Sequence, residues 1–157
     1  MSNSTLYDQD FYAWANEQAK LLRTGKLSEA DIEHIAEEIE SMGRTEKREL
    51  VSRLAVLLLH LLKWQFQPMC RGSSWEATIK IQRRDLTRHL ADNPSLNGKL
   101  AEAIADAYGD AIIAAAGETD LAEDIFPAVC PWSFKRMMAE DFWPGSPKGP
   151  VGRTLRE

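Results

Sequence analysis

The sequence predicts an all-α fold, a single-domain bundle of about five long helices around a central apolar helix at about residues 45–67. Three observations predict it. Apolar residues recur at helical spacing in nearly every long segment. No segment alternates apolar and polar residues as a half-buried strand would. The stretch from about Thr45 to Gln67 is apolar around most of its circumference, which suits a helix covered by others.

The elements follow in order. A first helix is predicted near Asp8 to Thr24, with Phe11, Trp14, Ala15 and Leu22 on one face and Gly25 at its end. A second starts at Ser28, where Asp31 three residues on gives a capping-box-like arrangement. Its stripe is Ile32, Ile35, Ala36, Ile39 and Met42, and Gly43 ends or bends it. The third, about Thr45 to Gln67, carries Leu50, Leu54, Leu57, Leu58, Leu59, Leu61, Leu62 and Trp64 and stops at Pro68. Ser73 with Glu76 is read as another capping box, opening a fourth helix that runs to about Asp92 and is broken by Asn93-Pro94. The fifth, about Ser95 to Ala116, is alanine-rich, which favours helix and close packing. A short helix follows Ser133. The domain is placed at residues 1–143, and the proline- and glycine-rich residues 144–157 are expected to be disordered.

Charge is unevenly spread over the 157 residues, which carry a net charge of -5. Residues 1–43 hold three Lys/Arg against nine Asp/Glu, residues 44–89 ten against four, and residues 90–157 six against eleven. The acidic total opposes general attraction to nucleic acid or anionic membrane, while the basic middle can offer one cationic face to a partner. Two cysteines, Cys70 and Cys130, show neither a disulfide framework nor metal-ligand spacing. The first residues lack the basic start and apolar run of a signal peptide. The longest apolar run, Leu54 to Leu62, falls well short of the ~20 residues that span a bilayer. The expected location is cytoplasmic and reducing.

Several stretches carry a resemblance: DFYAWANEQAKLLR (10–23), HIAEEIESMGR (34–44), LLLHLLKWQFQP (57–68), SWEATIKIQRRDL (74–86), NPSL (93–96), FPAVCPW (126–132) and EDFWP (140–144). In order and spacing they resemble the bacterial family called domain of unknown function twenty-nine, over residues 6–144. The resemblance implies an all-helical fold and brings no activity, cofactor or site residue with it.

Four features invite a functional reading, each with a plainer alternative. On the third helix, Arg53, His60, Lys63 and Gln67 fall on one narrow side, with Ser52 beside them. Such a seam meets water, meets partners on other helices, or lines a pocket. His60 can serve as acid, base or ligand near neutral pH, yet a satisfied structural network is the simpler account. On the fourth helix, Gln82 lies within the core stripe of Trp75, Ile79, Leu86 and Leu90, and Arg83 and His89 flank it. A half-buried Arg83 needs an anion, and Glu38 and Glu40 are the expected bidentate partners in a buried ion-pair network. The network reads as architecture. On the outer face, Lys80, Arg84 and Arg88 stand at i, i+4 and i+8. Asp85 interrupts them and no stacking aromatics accompany them, so a solvated basic face, or docking to an acidic protein partner, is preferred to nucleic acid. Cys130-Pro131-Trp132-Ser133 precedes a helix start, but no histidine or lysine helper lies near it in sequence, and turn chemistry accounts for it.

A di-metal bundle site needs two Glu-x-x-His motifs. This chain offers only Asp31-x-x-His34, so no metal and no cofactor is expected. The preferred reading is a non-enzymatic protein-interaction module that uses the Lys80/Arg84/Arg88 face. A small enzyme or a metal- or anion-binding protein using the Arg53/His60/Lys63 seam is the alternative. A nucleic-acid-binding regulator ranks third. Membrane is not an expected partner, and the oligomeric state is left open.

Overall fold

The computed structural model describes residues 3–145. Its helices are α1 (Asn3–Gln9), α2 (Phe11–Arg23), α3 (Ile32–Phe66), α4 (Ser73–Asp92), α5 (Leu100–Thr119) and α6 (Phe134–Met138). Short 3-10 turns join them, and there is no strand among the described residues, so the fold is all-α. None of these helices is long and apolar enough to cross a membrane. The expected tail falls mostly on residues 146–157, outside the described residues.

Local chemistry sets the helix ends. The Asp10 carboxylate accepts from the Ala13 N–H at 3.1 Å and caps α2, so the single helix expected from Asp8 is two, α1 and α2. Gly25 takes φ +73° just past α2, and the Lys26 and Gly25 N–H groups reach back to Leu21 and Leu22 carbonyls at 2.9 and 3.2 Å. That is a Schellman end, and glycine adopts the conformation without Cβ strain. The N-terminal cap expected at Ser28 falls three residues later. Residues Leu27–Glu29 form a 3-10 turn, and the Asp31 carboxylate accepts from the His34 N–H at 3.5 Å.

The predicted second and third helices are one. α3 runs through Gly43 for 35 residues. A glycine inside a helix costs only about 1 kcal/mol against alanine, and the Glu, Arg and Lys around it are good helix formers. Termination is as expected, one residue before Gln67-Pro68, because proline disfavours helical backbone in the residue preceding it. α4 spans the expected residues, but the Ser73–Glu76 capping box does not form. Extended Gly72 occupies the N-cap position, no side chain caps the helix, and Glu76 pairs with Lys80 instead. The predicted fifth helix begins as a 3-10 turn, Pro94–Lys99, before α5 proper.

The chain divides into two compact units, Met1–Glu46 and Lys47–Glu157, with the division inside the continuous α3. In the first unit, Trp14, Gln18 and Leu21 are the buried face of α2, while Phe11 and Leu22, expected inside, are exposed. The α3 stripe is also turned outward: Ile32, Ile39 and Met42 are 53%, 60% and 65% exposed. What α3 uses inside this unit is its polar edge. Asp31 accepts from the Trp14 indole N–H at 3.0 Å, and the Asp31 N–H donates to Gln18 Oε1 at 2.7 Å. A buried indole N–H needs an acceptor, and that need sets which edge of α3 faces α2.

The second unit holds the hydrophobic core. Leu50, Leu54, Leu57, Leu58, Leu61, Leu62 and Trp64 of α3 are fully buried among Ile79 and Leu86 of α4, Ala103, Ala107 and Ala115 of α5, Met137 and Trp143. The all-round apolar stretch is central here, as its composition predicts. Alanines on α5 allow close helix contact. Beyond α6, the chain returns as a strap over residues 139–145, and Arg71 fastens its end by donating to the Pro144 carbonyl at 3.3 Å. Gly145, at φ +81°, leaves room for that guanidinium, since a Cβ there would come within 2.7 Å of Arg71 Nη2. Pro144 and Gly145, assigned to the tail from sequence, are thus fixed to the body.

Candidate functional site

α4 carries the site because its turns deliver two kinds of side chain to one side. Arg83 lies beside the buried positions Ile79 and Leu86, and Lys80, Arg84 and Thr87 lie on the exposed face one step around. Between these residues and the strap runs a groove of about 690 Å³, walled by Met138, Glu140 and Trp143 on the strap side.

Arg83 forms the floor. It is only 6% exposed. Its Nε donates to the Met137 carbonyl and its Nη2 to the Phe142 carbonyl, both at 2.7 Å. The guanidinium carbon stands 5.3 Å from the Trp143 ring centre, within cation–π range. Nη1 is buried without a hydrogen-bond partner. Burial pushes the Arg83 pKa down to about 10, against a pull from Asp141 and Glu140, so the group stays charged at neutral pH. The expected network of Glu38, Glu40, Gln82 and Arg83 does not form. Arg83 meets backbone carbonyls rather than a carboxylate, because α6 and the strap each bring one to the fork where a side-chain anion was expected. Glu38 accepts from the Tyr7 hydroxyl, Glu40 is exposed, and Gln82 Oε1 is buried with no partner.

The outer cations are only partly neutralised. Lys80 donates to Glu76 at 3.1 Å on the surface, a contact worth little in water. Arg84 makes no hydrogen bond or ion pair among the described residues. Arg88, grouped with these two from sequence, sits 3.9 Å from Asp85 and does not line the groove.

The α3 seam is placed differently. Arg53 donates to Glu49 at 3.0 Å and to Asp85 of α4 at 3.1 Å. His60 Nδ1 lies 2.9 Å from the Val56 carbonyl of its own helix, so that nitrogen is the donor. Burial lowers the His60 pKa, favouring the neutral ring. Lys63 is buried between the Trp75 face, 4.6 Å from its centre, and Glu118 of α5 at 2.7 Å. Gln67 accepts a long contact from Cys70 Sγ at 3.7 Å. The seam's cations meet carboxylates of α3, α4 and α5, which ties these helices together.

Two arrangements escaped the sequence reading. His89 is buried with Nδ1 3.2 Å from Glu49 Oε2, which joins it to the Arg53–Asp85 contacts. In the first unit, the Tyr7 ring stacks on His34 at 3.9 Å, and His34 Nδ1 meets Asp31 at 2.8 Å. The hydrogen bond to Asp31 raises the His34 pKa. Burial pushes Asp31 up, but hydrogen bonds from His34 and Trp14 outweigh it and hold the carboxyl low. Asp31-x-x-His34 was visible as spacing; the signal for its use was Trp14, an indole needing an acceptor. At Cys130, burial raises the thiol pKa, and Ser133 caps α6 by accepting from the Arg136 N–H at 3.1 Å. That segment shows turn chemistry and no activated thiolate.

The chain matches no curated protein and no solved structure. Helices α2 to α6, the buried Trp14, Trp64 and Trp143, and the groove wall through Trp143 all fall within residues 6–143, where the chain matches the family model described as Domain of unknown function DUF29. The chain belongs to that family, and its biochemical activity is uncharacterised.

Proposed function

We propose that this protein is a non-enzymatic interaction module that holds an acidic segment of a partner protein in the groove beside α4. The observation carrying this reading is the surplus of positive charge there: Arg83 has no carboxylate bonded to it, and Arg84 has no partner among the described residues. Within a partly enclosed groove such charges are screened less than on open surface, so an entering carboxylate gains more from them. Glu140 on the opposite wall favours an extended segment with spaced acids over a dense polyanion, which also speaks against nucleic acid. The seam alternative loses support from its own geometry, since Arg53 and Lys63 are already paired with Glu49, Asp85 and Glu118. A cytoplasmic setting goes with this reading, and the two free thiols, Cys70 and Cys130, are in keeping with it.

The test is fluorescence anisotropy with a labelled, extended Glu-rich peptide. Wild type should bind in a salt-sensitive way, and the double variant Lys80→Glu/Arg84→Glu should bind about tenfold or more weakly. Arg88→Glu, outside the groove, should have the smaller effect. Equal affinity of wild type and the double variant would refute the reading.

A further inference from the structure

The outward-facing stripe of α3 within the first unit raises a separate question. Ile32, Ile39 and Met42 are each more than half exposed, and Ala36 and Gly43 lie on the same side. Ile32, Ile35, Ile39 and Met42 follow a 3-4-3 spacing, which is the seam by which one helix packs against another. Residues 32 to 42 cover about three turns, roughly 15 Å of continuous face. Isolated exposed apolar residues are ordinary, but a periodic row of them on one regular helix is not a scatter. The small Ala36 and Gly43 would let a second helix approach closely, and nothing stands within 4 Å of where a Cβ on Gly43 would be.

Charge decides the kind of occupant. Glu33, Glu37 and Glu40 border the stripe along one side, the only Lys or Arg between 32 and 46 is Arg44, and His34 is held by Asp31. On the other side Glu38 is engaged by the Tyr7 hydroxyl. A second copy presenting this same face would set acid against acid. An anionic lipid surface would be repelled in the same way. We infer that this face of α3 docks an amphipathic helix of another protein whose apolar stripe is bordered by Lys or Arg. Apolar anchors at i, i+3/i+4 and i+7 supply the contact, and the glutamates select the basic partner and speed its approach. This surface does not involve the α4 groove, so either reading can fail alone.

The probe is a labelled synthetic helix of about five turns with Leu at the seam positions and Lys on its borders. A peptide of identical composition but scrambled order keeps the charge and loses the stripe. The full-length chain should bind the patterned peptide about tenfold or more tightly than the scrambled one. The variant Ile39→Ser/Met42→Ser should lose that preference, with circular dichroism confirming an unchanged fold. Glu33→Lys/Glu40→Lys should weaken the Lys-bordered peptide and improve a Glu-bordered version. Ile113→Ser, an equally exposed position in the other unit, should change nothing. Equal binding of patterned and scrambled peptides would overturn the inference, showing charge alone at work. A concentration-dependent dimer by light scattering that Ile39→Ser/Met42→Ser abolishes would also overturn it, since a second copy would then be the occupant.

Discussion

Residues 47–145 bury seven α3 side chains completely, six leucines and Trp64, whereas the described part of the first unit buries two apolar side chains, Trp14 and Leu21, and one amide, Gln18. The second unit is held by removing apolar area from water, at roughly 25 cal/mol per Å². The first relies on directional contacts: indole to carboxylate, carboxylate to imidazole, and imidazole stacked on phenol. Contacts of the first kind tolerate changes of pH and salt. Those of the second kind respond to both, and they leave apolar side chains free to face outward.

The largest expected break in this comparison is in the leucine core. Leu57→Ala or Leu61→Ala should cost about 2–5 kcal/mol by urea unfolding, because each leaves a cavity in a fully packed site. Ile39→Ala on the outward stripe should stay within about 0.5 kcal/mol. A large loss at Ile39 would show that the stripe is covered in the isolated protein.

A smaller effect is expected at Asp31, where one carboxylate serves a helix cap, an indole and an imidazole. Asp31→Ala should cost about 1–3 kcal/mol and alter Trp14 fluorescence. Asp31→Asn retains the cap oxygen and should recover part of that loss. Equal melting of the Ala and Asn variants would show that the polar cluster does not hold the first unit.

The smallest effects are in pH dependence, and they carry opposite signs in the two units. The His34 pKa is raised by Asp31, so the stability it contributes is complete below about 6.5 and is lost as pH rises through the folded value. The His60 pKa is lowered by burial, so protonation opposes folding, and stability declines as pH falls below about 6.5 toward the folded value. Measured from pH 8 to pH 5, the advantage of wild type over His34→Gln should grow. Over the same range, wild type should lose ground against His60→Gln. Parallel curves for either pair would remove that histidine from the account.

How much of this was legible follows the same division. The apolar circumference of the central stretch announced a buried helix, and α4 was readable at its end because Asn93-Pro94 punctuates it, while its start was placed correctly on a Ser73–Glu76 capping box that does not form. Gly43 misled, because a single glycine lowers helix propensity without supplying a break. The outward stripe misled more deeply: periodicity reports that a helix has an apolar face, and says nothing of whether this chain covers it. For the site, Lys80 and Arg84 were readable as an exposed basic face. The groove was not, because its other wall is the end of the five-residue α6 and a strap of irregular backbone, neither of them long or regular enough to leave a periodic signature. Arg83 was legible as a buried cation, but its partners were misassigned to side chains, since backbone carbonyls are the same at every position and leave no trace in sequence.

Fastening through main-chain carbonyls shapes how the molecule can change over generations. Arg83 grips α6 and the strap by the carbonyls of Met137 and Phe142, and Arg71 holds the strap's end by that of Pro144. A main-chain carbonyl survives almost any substitution at its own residue. Met138 and Glu140, which face the groove between these fastenings, can therefore be exchanged while the strap stays where it is. Such a scaffold can drift from one binding preference to another by altering the wall alone, without passing through an unfolded ancestor.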